Sequence, residues 1–341
     1  MKKNDISHSK GLLSSPKNIA IVCHWNPDGD AYGASLALYH YLLKKEHNVT
    51  VISPNDCPEF LKWMPGEDSI LVFENETTRG TEVLRQAEIV FTLDFNALHR
   101  VGDTMYNVLK NISPVFIMID HHKQPEGYAH YMYSDEKMSS TSEMVYRFLT
   151  QLDSTDFLDK DIAACLYAGM VTDTASFKYP LVNAETLRIA AKLLETGIDH
   201  TDIQNNLYDT NSLNRLHLLG KALRSLKILE EYNTAYITIP QSDLNSFAFK
   251  KGDTEGFVNY GLSLKGVVFA AIFIEDQKQK IIKISFRSKG SFCVNEFARR
   301  HFDGGGHENA AGGRSELNLK ETVAKFVKVV KEYKEELNAY H

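Results

Sequence analysis

Four separate segments place Asp or His where an apolar run ends. Asn18 to His24 (NIAIVCH) runs into Trp25-Asn26-Pro27-Asp28-Gly29-Asp30. Asp94 ends Ile89 to Asp94 (IVFTLD), and Asp120-His121-His122 ends Pro114 to Asp120 (PVFIMID). Asp173 follows the apolar stretch that finishes Met170-Val171. Groups that directly follow a buried strand lie at its carboxyl end, the edge at which open α/β sheets bind ligands. Pro27 and Gly29 permit a sharp turn that points Asp28 and Asp30 into one cleft. Taken alone, that segment reads equally well as a turn into an Asp-capped helix. Carboxylates gathered without a counter-ion repel and raise one another's pKa, a cost that a divalent cation removes. Imidazole with carboxylate suits Mn²⁺, whereas oxygen-only sets favour Mg²⁺ or Ca²⁺. The residues suffice for two ions: His24 and Asp28 for one, Asp30, His121 and Asp173 for the other, and Asp94 between them. Two ions about 3.5 to 4 Å apart are the arrangement that activates water and clamps a phosphoryl group.

The elements that must carry these groups alternate in type. Asn18 to His24, Asn48 to Ser53, Ser69 to Phe73, Ile89 to Asp94 and Pro114 to Asp120 read as strands. Gly33 to Lys45, Thr141 to Leu152, Asp161 to Met170 and Ala184 to Glu195 read as helices. Continuous apolar strands alternating with helices predict an α/β domain, a mainly parallel sheet covered on both faces. Ser139 to Glu143 (SSTSE) reads as a helix start, with Ser or Thr capping and Glu143 balancing the dipole. Leu213 to Glu231 forms one long helical pattern, either a packed surface helix or a connector. Strands at Thr234 to Ile239, Val267 to Ile274 and Lys280 to Arg287, with a last helix from about Leu319 to Leu337, predict a smaller α+β domain. The expected divisions are a polar extension at 1–17, a catalytic domain at 18–198, a helical connector at 199–231 and a substrate domain at 232–341.

The second domain carries Phe302-Asp303-Gly304-Gly305-Gly306-His307, then Asn309-Ala310-Ala311-Gly312-Gly313. Consecutive glycines allow close backbone approach, and exposed N–H groups in such a turn can form an anion-binding nest. Residues 278–314 hold eight Lys and Arg against three Asp and Glu, in a chain of 341 residues with formal charge -6. That local excess attracts a polyanion. Lys278, Lys280 and Lys283 read individually as a solvated basic face.

Composition, at 43% hydrophobic and 24% charged, excludes a disordered or collagen-like chain. No apolar stretch approaches the roughly 20 residues of a membrane span, and Met1 to Lys17 lacks the apolar centre of a signal peptide. The four cysteines are far apart in sequence, so a disulfide framework or thiolate zinc site is not expected and a reducing cytoplasm is the expected setting. No candidate Cys or Ser nucleophile elbow is present. His99 and Arg100 follow Asp94 closely enough to reach the cleft, although His99 reads as readily as structural. Trp25 reads either as a stacking surface for a base or as packing.

The ordered set HxNPDGDAxG, strand-ending Asp94, Asp120-His121-His122 and Asp173 resembles the DHH phosphoesterase superfamily. Ala34 stands where many members carry Ser. GGGH followed by NAAGG, with Arg287-Ser288-Lys289-Gly290, resembles the DHHA1 domain that follows DHH domains. The resemblance covers residues 18–341 and points to the NrnA-type nanoRNase and pAp phosphatase group. It implies that His24, Asp28, Asp30, Asp94, His121 and Asp173 are metal ligands. It also implies that His122 lies beside the metals near the substrate phosphate, and that Asp120 orients a ligand imidazole. Substrate contacts are implied at Arg287, Ser288, Gly305, Gly306, His307 and Asn309. The implied activity uses two divalent cations, Mn²⁺ ahead of Mg²⁺, to hydrolyse short oligoribonucleotides to mononucleotides and adenosine 3′,5′-bisphosphate to AMP. The alternatives are a cyclic-di-AMP or pApA phosphodiesterase of the same fold, or a nucleotide sensor without turnover. The implied partners are short RNA and small nucleotides, with no membrane and no long duplex, and a homodimer by analogy.

Overall fold

The computed structural model describes residues 3–152 and 155–339. The chain divides into two compact units, residues 1–210 and 211–341.

The first unit contains α1 (Lys3–Leu12), β1 (Asn18–Val22), α2 (Gly29–Lys44), β2 (Asn48–Ser53), β3 (Leu71–Val72), α3 (Thr77–Gln86), β4 (Ile89–Leu93), α4 (Asp103–Leu109), β5 (Val115–Asp120), β6 (Tyr131–Ser134), α5 (Thr141–Leu152), α6 (Lys160–Asp173), α7 (Ala184–Glu195) and α8 (His200–Tyr208). The strands form one sheet in the order β3-β2-β1-β4-β5-β6, with every pairing parallel. Side chains alternate across this sheet. Ile19, Ile21 and Cys23 pack with α2, α5 and α6, while Ala20 and Val22 pack with Leu84, Met105 and Leu109 of α3 and α4. Burial on both faces explains why β1, β4 and β5 read as unbroken apolar runs. The strand order reverses between β1 and β4. That reversal is the topological switch point, where the loops leaving neighbouring strands diverge and open a crevice.

Several element limits differ from the sequence reading. Helix α2 begins at Gly29 rather than Gly33, because Asp28 caps it by accepting from the N–H groups of Asp30 and Ala31. Helix α6 runs through Asp173 instead of stopping at Met170. Of Ser69 to Phe73 only Leu71–Val72 is strand, since a 3₁₀ turn occupies Glu67–Ser69. Strand β6 was not anticipated; it pairs with β5 along Ile117 to Asp120.

Helices α2 and α6 cross at glycine. A Cβ on Gly33 would lie 2.4 Å from the Cys165 carbonyl oxygen and 2.9 Å from the Gly169 nitrogen. The close crossing brings the first turn of α2, which carries Asp30, against the second half of α6, whose last residue is Asp173.

The second unit contains α9 (Leu213–Ser225), β7 (Lys227–Leu229), β8 (Thr234–Ile239), α10 (Gln241–Ser246), α11 (Phe257–Leu262), β9 (Phe269–Asp276), β10 (Ile281–Ser288), α12 (Val294–His301), β11 (Gly305–Gly306), β12 (Ala310–Ser315), α13 (Leu319–Val330) and α14 (Lys334–Asn338). Its sheet has the order β11-β12-β10-β9-β8-β7. The β8–β9 pair is parallel and the other pairs antiparallel. One face packs Phe269, Phe273, Phe286, Phe297, Phe302 and Phe326 together. The other face packs Ile237, Ile239 and Ile272 against Leu218, Ala222 and Phe257. The expected helix over Leu213 to Glu231 ends at Ser225. There the Ser225 hydroxyl accepts from Thr238 N at 3.0 Å and contacts Thr238 O at 2.8 Å. This draws the chain out of the helix to pair as β7 with β8. The buried face of α9 is Leu218 and Ala222, while Leu216 and Leu223 are exposed. The last helix is interrupted by a 3₁₀ turn at Lys331–Tyr333.

The α2–α6 crossing yields a stability prediction. Gly33→Ala forces a methyl against backbone, so the first unit is expected to lose about 1 to 3 kcal/mol in urea unfolding followed by circular dichroism. An unchanged midpoint would show that the helices can separate freely.

Candidate metal centre

Asp28, Asp30 and Asp94 are each held by one set of donors, and Asp28 and Asp30 each share a ligand group with Asp94. Asp28 Oδ1 accepts from the Asp30 and Ala31 N–H groups, both at 3.1 Å. Its Oδ2 lies 3.8 Å from His24 Nε2. Asp28 is therefore a helix cap and a member of the cluster at once. Asp30 accepts from Thr141 N at 2.6 Å and Ser142 N at 2.8 Å, the first amides of α5. A helix N-terminus has such donors to spare and favours negative charge. Ser140 also caps α5, accepting from Glu143 N at 3.0 Å. Asp94, just beyond β4, adopts a left-handed backbone (φ 64), and its Oδ1 accepts from Thr141 Oγ1 at 2.8 Å.

The two imidazoles face these carboxylates through Nε2. His24 Nε2 is 3.4 Å from Asp94 Oδ2. His121 Nε2 is 3.6 Å from Asp94 Oδ1, 3.4 Å from Asp173 Oδ2 and 4.0 Å from Asp30 Oδ2. Each ring is fixed from behind: His24 Nδ1 lies 3.0 Å from Trp25 O and His121 Nδ1 lies 3.2 Å from Met138 O. A carbonyl only accepts, so Nδ1 carries the proton and Nε2 can offer its lone pair to a cation. His24, Asp28 and Asp94 form one compact ligand group, and Asp30, Asp94 and His121 form another. Five of the six sequence-predicted ligands fall in these two groups, with Asp94 common to both; the sixth, Asp173, lies beside the second group through His121 Nε2 at 3.4 Å.

Asp120 is fully buried, and its Oδ1 lies 2.7 Å from His122 Nδ1. The imidazole it orients is that of His122, whereas the sequence reading assigned it to a ligand imidazole. Asp120 Oδ2 has no hydrogen-bond partner among the described residues. Sequence reasoning missed the buried network behind the site. Glu143, fully buried, accepts from Ser139 Oγ at 2.6 Å, Thr186 Oγ1 at 2.9 Å and Arg147 Nη2 at 2.6 Å. It ties α5 and α7 to the loop whose Met138 carbonyl anchors His121. The SSTSE segment signalled a helix start, and nothing in it signalled that Asp30 would share the cap.

Electrostatics follow from this packing. Burial works against ionisation of Asp94, but the His24 hydrogen bond and the nearby His122 and His121 outweigh it and hold the carboxyl below its usual range. Burial pushes Asp30 well above the usual range, and the like charges of Asp94 and Asp173 push it further. Burial disfavours the charged form of His121, but Asp173, Asp94 and Asp30 raise it to about 9. Carboxylates and imidazoles gathered so closely, together with an Asp120 Oδ2 that has no partner among the described residues, fit a site built for cations. Burial pushes the Cys23 thiol up to about 12, which leaves no thiolate for ligation or attack near neutral pH.

In the second unit, Arg287 lies on β10 opposite Ala310 of β12. Ser288 Oγ donates to Phe292 O at 2.6 Å and accepts from Asn309 Nδ2 at 2.9 Å, while the same Nδ2 reaches Gly290 O at 2.9 Å. Ser288 and Asn309 therefore clamp the Arg287–Gly290 turn with these atoms. Gly305–Gly306 is a short strand. The Gly306 N–H donates to Asn295 Oδ1 at 3.0 Å and the His307 N–H to Ala310 O at 2.7 Å. Those two amides are spent inside the fold, which corrects the expected open nest. The glycines serve close approach: a Cβ on Gly304 would lie 2.0 Å from the Gly312 oxygen.

Comparison with known proteins places these features in a lineage. The DHH family, N-terminal domain, matches residues 18–170, and the DHHA1 domain matches residues 233–336. A Bacillus subtilis protein named bifunctional oligoribonuclease and PAP phosphatase NrnA is 28% identical over 301 residues, covering 88% of this chain and 90% of that protein. A crystal structure of an exopolyphosphatase-related protein from Bacteroides fragilis matches with TM-score 0.94 and 40% identity over 98% of each chain. RecJ in complex with Mn²⁺ from Thermus thermophilus matches in fold, with TM-score 0.55 and 15% identity over 98% of this chain and 55% of that one.

In metal-free protein the charged His121 stabilises the fold fully below its ordinary 6.5, and that contribution is lost as pH climbs through about 9. Asp30, raised above the ordinary carboxylate value, costs stability once ionised, so it acts in the same direction. The melting temperature of chelator-stripped protein is expected to fall from pH 6.5 to pH 9, and added Mn²⁺ to restore it at pH 9. A flat or rising profile without metal would contradict this electrostatic account.

Proposed function

Because the chain belongs to the DHH family and carries a DHHA1 domain, we propose that it is a Mn²⁺-dependent phosphoesterase acting on short oligoribonucleotides and adenosine 3′,5′-bisphosphate. The observation that carries this reading is the convergence of two ligand groups on the shared carboxylate of Asp94. His24, Asp28 and Asp94 would hold one cation; Asp30, His121 and Asp173, with Asp94, would hold the second. The mixture of imidazole and carboxylate suits Mn²⁺, and Mg²⁺ is a workable substitute. When bound, the pair supplies Lewis acidity toward a phosphoryl oxygen and a water acidified toward neutral pH.

The residues of this chain do the rest. Asp94 remains ionised and available to both groups. The carbonyls of Trp25 and Met138 keep the proton on Nδ1 of His24 and His121, so neither ring rotates out of place. Asp120 Oδ1, 2.7 Å from His122 Nδ1, orients the His122 ring, which is assigned to the substrate phosphate. In the second unit Arg287 and His307 are assigned to substrate phosphate. Arg287 Nη1 donates to Phe286 O at 3.0 Å, which limits the freedom the guanidinium loses on binding. The choice of short RNA and the bisphosphate is supported by the named Bacillus subtilis relative, which this chain matches over 90% of that protein's length.

Asp94→Ala should remain folded by circular dichroism, lose most of its Mn²⁺ in titration calorimetry and lose turnover of both substrates by at least about a hundredfold. Near-normal turnover in that variant would remove the shared carboxylate from the mechanism. A panel of adenosine 3′,5′-bisphosphate, pApA, cyclic-di-AMP, pyrophosphate and RNA of two to ten nucleotides should give the highest kcat/KM on the bisphosphate and the shortest RNA. Pyrophosphate or cyclic-di-AMP leading the panel would overturn the substrate choice. Arg287→Ala should raise KM about tenfold or more with little change in kcat, which is loss of uniform binding; an unchanged KM would take Arg287 out of the substrate site.

A further inference from the structure

Trp25 combines three features that the cation site does not require. It directly follows the candidate ligand His24, and it is 44% exposed, so a large apolar ring stands in solvent at the carboxyl end of β1. It also rests on a glycine from the neighbouring loop: a Cβ on Gly102 would lie 2.9 Å from Trp25 Cε3 and 3.4 Å from Cδ2 and Cζ3. Gly102 has φ 81, a left-handed conformation that side chains rarely adopt. Trp25 N also donates to Arg100 O at 2.8 Å. The indole is thus laid across the loops that leave β1 and β4, the two strands flanking the switch point, and it is backed by bare main chain. Packing alone would bury such a ring. A ring supported on one side and exposed to solvent beside a phosphate-directed cluster is suited to stacking, and every nucleobase has a π-face to offer.

We propose that Trp25, laid on Gly102, is an aromatic platform that stacks the nucleobase of the nucleotide whose phosphate lies at the Asp and His cluster. This deepens the nucleotide reading above and rests on it. Stacking on a platform without hydrogen-bond readout is tolerant of base identity, so Trp25 selects nucleotides over base-free phosphates without ranking the four bases strongly.

The test uses full-length protein loaded with Mn²⁺, in a Trp63→Phe background so that Trp25 alone emits. AMP is expected to quench its fluorescence in a saturable manner, whereas ribose 5-phosphate at equal concentration is not. Trp25→Ala should raise KM for pApA by about 5- to 150-fold, the range that loss of one base stack corresponds to, with kcat changed by less than about threefold. Trp25→Phe should recover most of that KM. Equal quenching by AMP and ribose 5-phosphate, or an unchanged KM in Trp25→Ala, overturns the platform. If Trp25→Ala fails to fold, the quenching comparison decides by itself. If no nucleotide is turned over but AMP still quenches selectively, the enzymatic reading fails while the platform stands. Normal turnover with no base-dependent quenching has the opposite meaning.

Discussion

Everything at the carboxyl edge of the first sheet answers to one electrostatic constraint: four carboxylates and two imidazoles share a small volume, most of it buried. Left alone, that charge would open the fold. The protein offsets it in two layers. Backbone amides take part of the load, from the first turn of α2 for Asp28 and from the first turn of α5 for Asp30. The Thr141 hydroxyl does the same for Asp94. The oxygens left over face Nε2 of His24 and His121, a donor set that a cation can satisfy together.

That arrangement is rigid because the elements bearing it cannot move independently. The crossing of α2 with α6 is set by the absence of side chains at Gly33 and Gly169, which leaves almost no room for sliding. Helix α5 is joined to α2 through Asp30 and to α7 through buried Glu143 and Thr186. The turns that carry the chemistry absorb the strain: Asn26, Asp94 and the run Ala175 to Phe177 all lie in the left-handed region. Backbone held in that region is maintained only where surrounding structure determines it, and here a close-packed core does so on either side.

The second unit uses a different device. Its interior is a cluster of phenylalanines in edge and tilted contacts, such as Phe269 with Phe297 at 5.0 Å and Phe273 with Phe326 at 5.1 Å. Aromatic pairs of this kind are worth about 0.5–1.5 kcal/mol beyond area burial. Against that core the glycine run pairs with β12 as β11, so its glycines hold two strands together.

The sheet edge that gathers His24, Asp28, Asp30, Asp94 and His121 was legible in the linear chain, because apolar strands announce their own ends and a side chain at such an end has one place to be; Asp173 instead ends helix α6. The smaller α+β unit was legible for the same reason, from runs such as Thr234 to Ile239. Residues whose role depends on a distant partner were not. Ser139 to Glu143 looks like any helix start, and only folding shows that Asp30 enters its cap and that Glu143 is buried among donors. The Leu-rich run after Leu213 looks like one helix, and only the Thr238 backbone, brought alongside Ser225, ends it. The linear chain therefore determined which candidate groups gather and on which sheet edge, since periodicity and strand ends are local properties. Tertiary structure decided the proton positions, the shared caps, the seating of Trp25 on bare Gly102 backbone, and the spending of the glycine-turn amides, since each depends on atoms far apart in sequence meeting within hydrogen-bond or contact distance.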